Sequence, residues 1–276
     1  MSAGAGSDLI LVLNCGSSSI KFALFDAGTR PPPRQPEWNG KVQGIGGPKP
    51  DFGETGVEPY AVELDRAHPY RSALEVIRER VMARLGGRRI VAVAHRVVHG
   101  GSKYFQPVRV DANVLADLKG YVPLAPLHQP FALEAIEALL GLSPDLPQVA
   151  CFDTGFHHTI PDLEKILPLP WDAWERGLRR YGFHGLSYNY LSVALPERHG
   201  DAARGRIIVC HLGNGASLCA MRDLESVATT MGFSSLDGLM MGTRTGDIDP
   251  GLLVHLLRGG MSLDALDELL NRGAGL

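Results

Sequence analysis

A run of small and polar residues, Asn14-Cys15-Gly16-Ser17-Ser18-Ser19, followed closely by Lys21, carries the parts of an anion cradle. Gly16 lets the backbone approach a bound group, the serines offer hydroxyl donors, and Lys21 puts a cation just past the turn. A polar turn with a solvated lysine would look the same on this stretch alone. The run is not a P-loop, because it lacks the Gly-Lys-Ser/Thr ending and no helix pattern follows. A second stretch favours the cradle. Ile207 to Asp223 lies over Ile10 to Asp26 without a gap, placing Gly213 on Gly16, Gly215 on Ser18, Ala220 on Ala23 and Asp223 on Asp26. Two such turns facing each other across a cleft would hold a polyphosphate with backbone N–H groups from both sides.

Other residues could act on such an anion. Arg96, in AHRVVHGG (Ala94 to Gly101), has a planar, permanently charged fork that matches a carboxylate or phosphate; a surface ion pair is the plainer alternative. His95 and His99 are not a metal pair, since four residues of extended chain span about 13 Å. His128 stands just outside a helix N-terminus, where it suits an anion, with Leu124 and Leu127 as an apolar wall beside it; a capping or merely polar histidine would look identical. Asp153 follows a short buried strand, a common place for a catalytic carboxylate, although it could equally cap the next turn. His157, His158 and His184 lack an acidic or cysteine partner at ligand spacing, which argues against a shared metal. Arg244, in a Gly/Thr loop, is suited to neutralise charge on a phosphoryl group in flight, with Asp247 and Asp249 nearby; a charged surface turn is the alternative for all three.

The elements that must position these groups follow from apolar spacing. Leu9 to Asp26 reads as a β-hairpin, and so does its second copy. Ser72 to Leu85 carries a helical stripe ended by Gly86-Gly87, Arg89 to Val93 and Gln148 to Phe152 read as buried strands, and a helix runs from Pro130 to Leu140, stopping at Gly141. Further helices are expected over Ser187 to Leu195, Gly251 to Arg258 and Ser262 to Leu270. Residues 30–60, with RPPPRQP and several glycines, read as an irregular insert, and the first residues as a loose tail.

Composition narrows the classes. The chain has 276 residues, 45% hydrophobic content and a net charge of -3, which describes an ordinary globular protein long enough for two domains, with no basic excess for nucleic acid. No apolar run reaches membrane-spanning length and MSAGAGSD lacks the features of a secretory signal, so a cytoplasmic location without membrane partners is expected. Cys15, Cys151, Cys210 and Cys219 show no CxxC spacing; three sit in apolar runs and read as reduced, buried thiols.

NCGSSSIKFALFD, AHRVVHGG, APLHQP, FDTGFHHTIP, YGFHGLSY, HLGNGASL and MGFSSLDGLMMGTRTGDIDPG resemble, in this order, the motifs that run through the acetate kinase family. The match is collinear over nearly the whole chain. The resemblance implies an α/β fold of two ribonuclease-H-like domains of the actin/hexokinase/Hsp70-like superfamily, whose members bind a nucleotide between the two. The expected division is a disordered tail at 1–8, an N-terminal domain at 9–200 containing the 30–60 insert, and an incomplete second, nucleotide-binding domain at 201–276.

The resemblance also implies reversible phosphoryl transfer from ATP to acetate, giving ADP and acetyl phosphate, an activated acetyl group on the route to acetyl-CoA. By similarity Asn14 lies at the magnesium position, with manganese as an alternative ion. Lys21, Ser17, Ser19, His211, Leu212, Gly213, Asn214 and Gly215 would bind ATP. Arg96 would hold the acetate carboxylate, with Val98, Leu127 and Phe183 around the acyl group. His184 and Arg244 would stabilise the transition state, and His128 would help hold the transferring phosphoryl group. Asp153 matches the family's proton donor or acceptor; orienting Arg96 or the metal's waters is an equally good role, since a carboxylate nucleophile needs no strong base. Ser235 stands where many family members have proline near the acyl pocket, which keeps propionate or butyrate open as substrates. The family implies a homodimer for a full-length protein. The repeat offset, 207 minus 10 or 197 residues, would carry a complete second copy past residue 276, so either a fragment of a longer kinase or a shortened protein is expected, poorly active alone, with an inactive anion-binding fragment as the alternative.

Overall fold

The computed structural model describes residues 7–276. The tail expected at 1–8 lies outside the described residues except at its end, where Ser7 Oγ donates to Asp26 and Asp8 accepts from Arg89 at 2.7 Å. The chain forms two compact units, one of residues up to His99 with Gln106–Cys151, the other of Gly100–Phe105 with Phe152–Leu276. The chain therefore passes between units at three peptide bonds, and the main boundary falls after Cys151, not at 200/201. The reason is packing: the residues after Cys151 bury themselves against the strand that follows the second hairpin. His157 Nδ1 meets Ser226 Oγ at 2.8 Å, and Thr159 Oγ1 donates to the Ser226 carbonyl at 2.7 Å.

In the first unit, β1 (Leu9–Cys15) and β2 (Ser19–Asp26) form the expected hairpin. It continues antiparallel through β3 (Trp38–Gln43), β4 (Asp51–Glu54) and β5 (Val57–Ala61). Residues 30–60, expected to be irregular, thus supply most of three strands. Their alternation is hidden because an inward position is glycine: a Cβ on Gly40 would meet Gly53 O at 2.7 Å and the Phe22 ring at 2.8 Å. Pro59 sits in the outermost of these strands, where the ladder tolerates a missing N–H.

Helix α1 (Pro69–Arg84) then crosses to β6 (Ile90–Val97), which pairs parallel with β1. The helix begins ahead of the apolar stripe because Pro69 presets its first turn. After β7 (Val108–Arg109), α2 (Ala112–Gly120) and α3 (Gln129–Leu142) lead to β8 (Gln148–Phe152). Helix α3 runs through Gly141, since one glycine costs only about 1 kcal/mol. The sheet order is β5-β4-β3-β2-β1-β6-β8-β7, and Leu13, Ile20, Phe22, Val42, Phe52, Ile77 and Val93 form the core on one of its faces.

The second unit has two short helices, α4 (Asp162–Lys165) and α5 (Asp172–Glu175), and the longer α6 (Gly185–His199). Its sheet, in the order β11-β10-β9, is β9 (Arg206–Leu212), β10 (Ala216–Arg222) and β11 (Glu225–Thr229). Tyr188, Leu191 and Leu195 of α6 pack on Val209, Cys219 and Met221. Two more helices, α7 (Pro250–Arg258) and α8 (Leu263–Arg272), follow the loop that carries Arg244. All four cysteines are free, as expected, but Cys210 is exposed because it lies on the edge strand β9. Among the described residues no helix is long and apolar enough to cross a membrane.

Candidate active-site residues in two units

In the first unit the ends of β1, β2 and β6 bring polar groups to one face of the sheet. Asn14 pairs with Lys21 across the hairpin, and Arg96 Nη1 donates to Asn14 Oδ1 at 3.1 Å. Ser17 and Ser18 are exposed in the loop, and the Gly16 N–H closes it by donating to Ser19 O at 2.9 Å. Val98 is buried at the end of this segment, and Leu127 is half-buried. His128 is the N-cap residue of α3, as its place before Pro130 predicts. The neighbouring histidines have structural surroundings. His95 Nε2 meets Gln148 Oε1 at 2.8 Å, and the His99 backbone N–H donates to Gln129 Oε1 at 3.0 Å. Burial pulls both imidazoles down to about 4.

The second unit holds a tighter arrangement. Asp153 is buried, and its carbonyl accepts the Gly185 N–H at 2.7 Å. His184 caps α6 with φ at +59°, a left-handed backbone uncommon for a residue with a side chain. Its ring stacks on His211 with centroids 4.0 Å apart, and its Nδ1 lies 2.8 Å from Ser217 Oγ. Phe183 is buried beside it, and the Phe183 carbonyl lies 2.9 Å from His157 Nε2. Burial keeps His157 neutral by pulling it down to about 4.

The second turn, Gly213-Asn214-Gly215, sits between paired Leu212 and Ala216. The Asn214 carbonyl accepts the Gly242 N–H at 3.1 Å, which ties this turn to the Arg244 loop. A Cβ on Gly242 would fall 2.5 Å from Asn214 Oδ1, so a larger residue there would make that side chain shift. Arg244 is held by Nη1 donating to the Ser235 carbonyl at 3.1 Å. Burial lowers its guanidinium from the usual arginine value, yet it stays cationic, as arginine does in proteins. A Cβ on Gly215 would stand 3.5 Å from both Arg244 Nη1 and His184 Nε2, so a cation and an imidazole converge on space that glycine leaves open. That pair of donors suits charge spread over phosphoryl oxygens.

Two carboxylates of the loop have structural duties. Asp247 Oδ1 accepts the Gly238 N–H at 3.1 Å, and Asp249 caps α7 by accepting the Gly251 N–H at 2.7 Å. Among the described residues no group of three or more His, Cys, Asp or Glu could hold a metal ion. Asn14 Oδ1 is an oxygen donor of the kind magnesium accepts, and a magnesium ion bound mainly through nucleotide phosphates needs few protein ligands. The residues present therefore fit an ion that arrives with its nucleotide. Sequence reasoning missed Ser217, Tyr188 and Gly242. A serine inside a strand and a tyrosine on a helix stripe read as ordinary core, and Gly242 is one glycine among several in its loop.

A profile of the Acetokinase family matches residues 9–276. The chain is 46% identical over 275 residues to an acetate kinase of Rhodopseudomonas palustris, covering 98% of this chain and 69% of that protein. It is 47% identical over 280 residues to an acetate kinase of Nitrobacter hamburgensis, covering 98% of this chain and 67% of that protein. Among solved structures, the Porphyromonas gingivalis acetate kinase superposes with a TM-score of 0.83 at 36% identity, over 98% of this chain and 69% of that one. A propionate kinase from Francisella tularensis superposes with a TM-score of 0.88 at 36% identity, over 97% of this chain and 69% of that one.

Proposed function

We propose, from the premise that this chain belongs to the acetokinase family, that it catalyses reversible transfer of the γ-phosphoryl group of ATP to acetate. An acetate oxygen forms a bond to the γ-phosphorus as the bond from that phosphorus to the β–γ bridging oxygen breaks, and ADP leaves with the electron pair. A carboxylate is already an adequate nucleophile, so the protein's task is alignment and neutralisation of charge.

The observation that carries this reading is the approach of His184 Nε2 and Arg244 Nη1 to the open side of Gly215. In this proposal these two groups donate to the phosphoryl oxygens, and backbone N–H groups of Gly213 to Gly215 meet the nucleotide phosphates, with His211 and Leu212 alongside. Lys21, Ser17 and Ser19, on the first hairpin, bind nucleotide phosphate. Arg96 holds the acetate carboxylate, with Val98, Leu127 and Phe183 about its methyl group, and His128 helps hold the transferring group. Asp153 positions its neighbours and need not move a proton. Magnesium, when bound with ATP at Asn14, would neutralise phosphate charge.

Ser235 supports a second reading, in which propionate is accepted. Its backbone carbonyl anchors Arg244, and its side chain belongs to the loop that bounds the acyl pocket in the proposal. Purified chain with ATP, magnesium and hydroxylamine, supplied with acetate, propionate or butyrate, separates the readings. ATP-dependent acetyl hydroxamate supports acetate as substrate, and a preference for propionate supports the second reading. Nucleotide binding with no hydroxamate from any of the acids would overturn both in favour of a non-catalytic anion-binding protein.

A further inference from the structure

If His184 donates to a phosphoryl oxygen, its Nε2 must carry a proton, and a neutral imidazole has only one to place. The groups around the other nitrogen bear on where it goes. His184 Nδ1 lies 2.8 Å from Ser217 Oγ, and Ser217 Oγ lies 2.5 Å from Tyr188 Oη. Ser217 and Tyr188 are each 0% exposed, so no water competes for these hydroxyls. Burial pushes the phenol up to about 12, so it keeps its proton near neutral pH.

Among the described residues Ser217 Oγ is the acceptor within reach of the Tyr188 phenol, so Tyr188 directs its proton there. Ser217 then has one proton to give, and among the described residues His184 Nδ1 is the acceptor within reach. The opposite polarity works less well. Were Nδ1 protonated and donating to Ser217, either the serine proton or the phenol proton would be left without an acceptor in a dry site, and unmade hydrogen bonds there are costly. The Arg244 cation, which meets His184 Nε2 at the open side of Gly215, opposes a positive charge on the His184 ring.

We propose that Tyr188 and Ser217 form a buried hydroxyl relay that holds His184 as the neutral Nε2–H tautomer, so that it presents a hydrogen-bond donor beside Arg244 at Gly215. The tautomer and the relay are read from the second unit alone; the use made of that donor rests on the phosphotransfer reading above. Tyr188 and Ser217 are positioning residues, acting through His184. The left-handed backbone at His184 belongs to the same arrangement, since the Tyr188 N–H donates back to the His184 carbonyl at 3.1 Å and fixes ring and phenol on one helical turn.

The test is nitrogen-15 NMR of the histidine-labelled full chain at neutral pH, with the His184 signals assigned by their loss in His184→Gln. The wild-type ring is expected to show an unprotonated Nδ1 and a protonated Nε2. Tyr188→Phe and Ser217→Ala should each shift the ring toward a mixture of tautomers, and Ser217→Thr, which keeps the hydroxyl, should restore the wild-type pattern. In the hydroxamate assay Tyr188→Phe should lower kcat about tenfold, the scale of one lost hydrogen bond, with KM for ATP and acetate changed less than about twofold. A protonated Nδ1 in the wild-type protein, or an unchanged tautomer in both hydroxyl-deleting variants, overturns the relay. A wild-type chain that forms no acyl phosphate yet shows the Nε2–H tautomer, lost in those variants, supports the relay and overturns only the phosphotransfer reading.

Discussion

The first hairpin turns over four residues, Gly16 to Ser19 between paired Cys15 and Ile20, and the second over three, Gly213 to Gly215 between paired Leu212 and Ala216. A difference of one residue in a ladder reverses which side chains share a face. In the first hairpin Asn14 is set opposite Lys21 and Leu13 opposite Phe22, so the last polar residue of β1 shares a face with the lysine. In the second, His211, at the position equivalent to Asn14, is set opposite Ser217. The shorter turn thus brings His211 onto the face where Ser217 reaches His184, and removes it from any partner like Lys21. One duplicated device has acquired two chemistries: a cation and an amide in the first copy, a histidine stack with buried hydroxyls in the second.

The largest effect should come from the cation that belongs to the second copy. Arg244→Ala is expected to lower kcat about 10³-fold, about 4 kcal/mol, as loss of a donor to a charged transition state does. Lys21→Ala, in the first copy, should act mainly on KM for ATP. Equal losses of kcat in the hydroxamate assay would break the proposed division of labour.

Acid should separate the units next. His95 and His99 in the first and His157 in the second are each pulled down to about 4 by burial, against an ordinary value of 6.5. Since the unfolded chain binds these protons more readily, each histidine contributes stability that is full above pH 6.5 and is lost as pH falls toward 4, on the order of 3 kcal/mol apiece. Hydrogen exchange at stepped pH, followed by peptide, should show the first unit opening before the second. Simultaneous opening would mean that the two stand or fall together in acid.

Lengthening the second turn by one glycine after Asn214 tests the comparison directly. With Leu212 still paired to Ala216, the four-residue form keeps His211 opposite Ser217 but moves Asn214 and Gly215 relative to Arg244, and kcat should fall about 10²-fold, the scale of a small misplacement of reacting groups. An unaltered histidine spectrum with full turnover would show that the turn absorbs the insertion as a bulge and that its length is not what sets the chemistry. The smallest contrast is steric. Gly40→Ala, beside the first hairpin, should lower stability by about 2 kcal/mol through contact with backbone and the Phe22 ring. Gly213→Ala, whose Cβ would meet nothing closer than 3.5 Å, should stay within about 0.5 kcal/mol. Urea midpoints measure both.

The sequence carried the two hairpins, the helix starts at Pro130 and Pro250, and the residues whose charge or small size is itself the chemical signal, such as Arg96, Arg244 and Gly215. Local patterns could not carry what depends on distant partners. The register difference is invisible in a gap-free overlay, because both turns are small and polar and the pairing is chosen by what each face must bury. Strand β3 escaped notice because Gly40 occupies an inward position that Phe22 has already filled. Tyr188 and Ser217 are separated by 29 residues, and only the folding of α6 onto β10 joins them. The boundary at 151/152 was hidden for a similar reason, since the residues after Cys151 choose their unit by the hairpin they pack on.

The three passages of the chain between its units restrict how such a protein can be inherited in pieces. A single exchange at Cys151 would deliver a first unit still carrying Gly100–Phe105, and a second unit deprived of them. Those residues lie close against their own unit: the Phe105 carbonyl oxygen is 2.4 Å from where a Cβ on Gly155 would be, a space that no larger residue can share. A foreign second unit would have to bring both its own glycine and a matching excursion from its new neighbour. Shuffling at this joint is thereby penalised twice, and the two units are expected to share one evolutionary history.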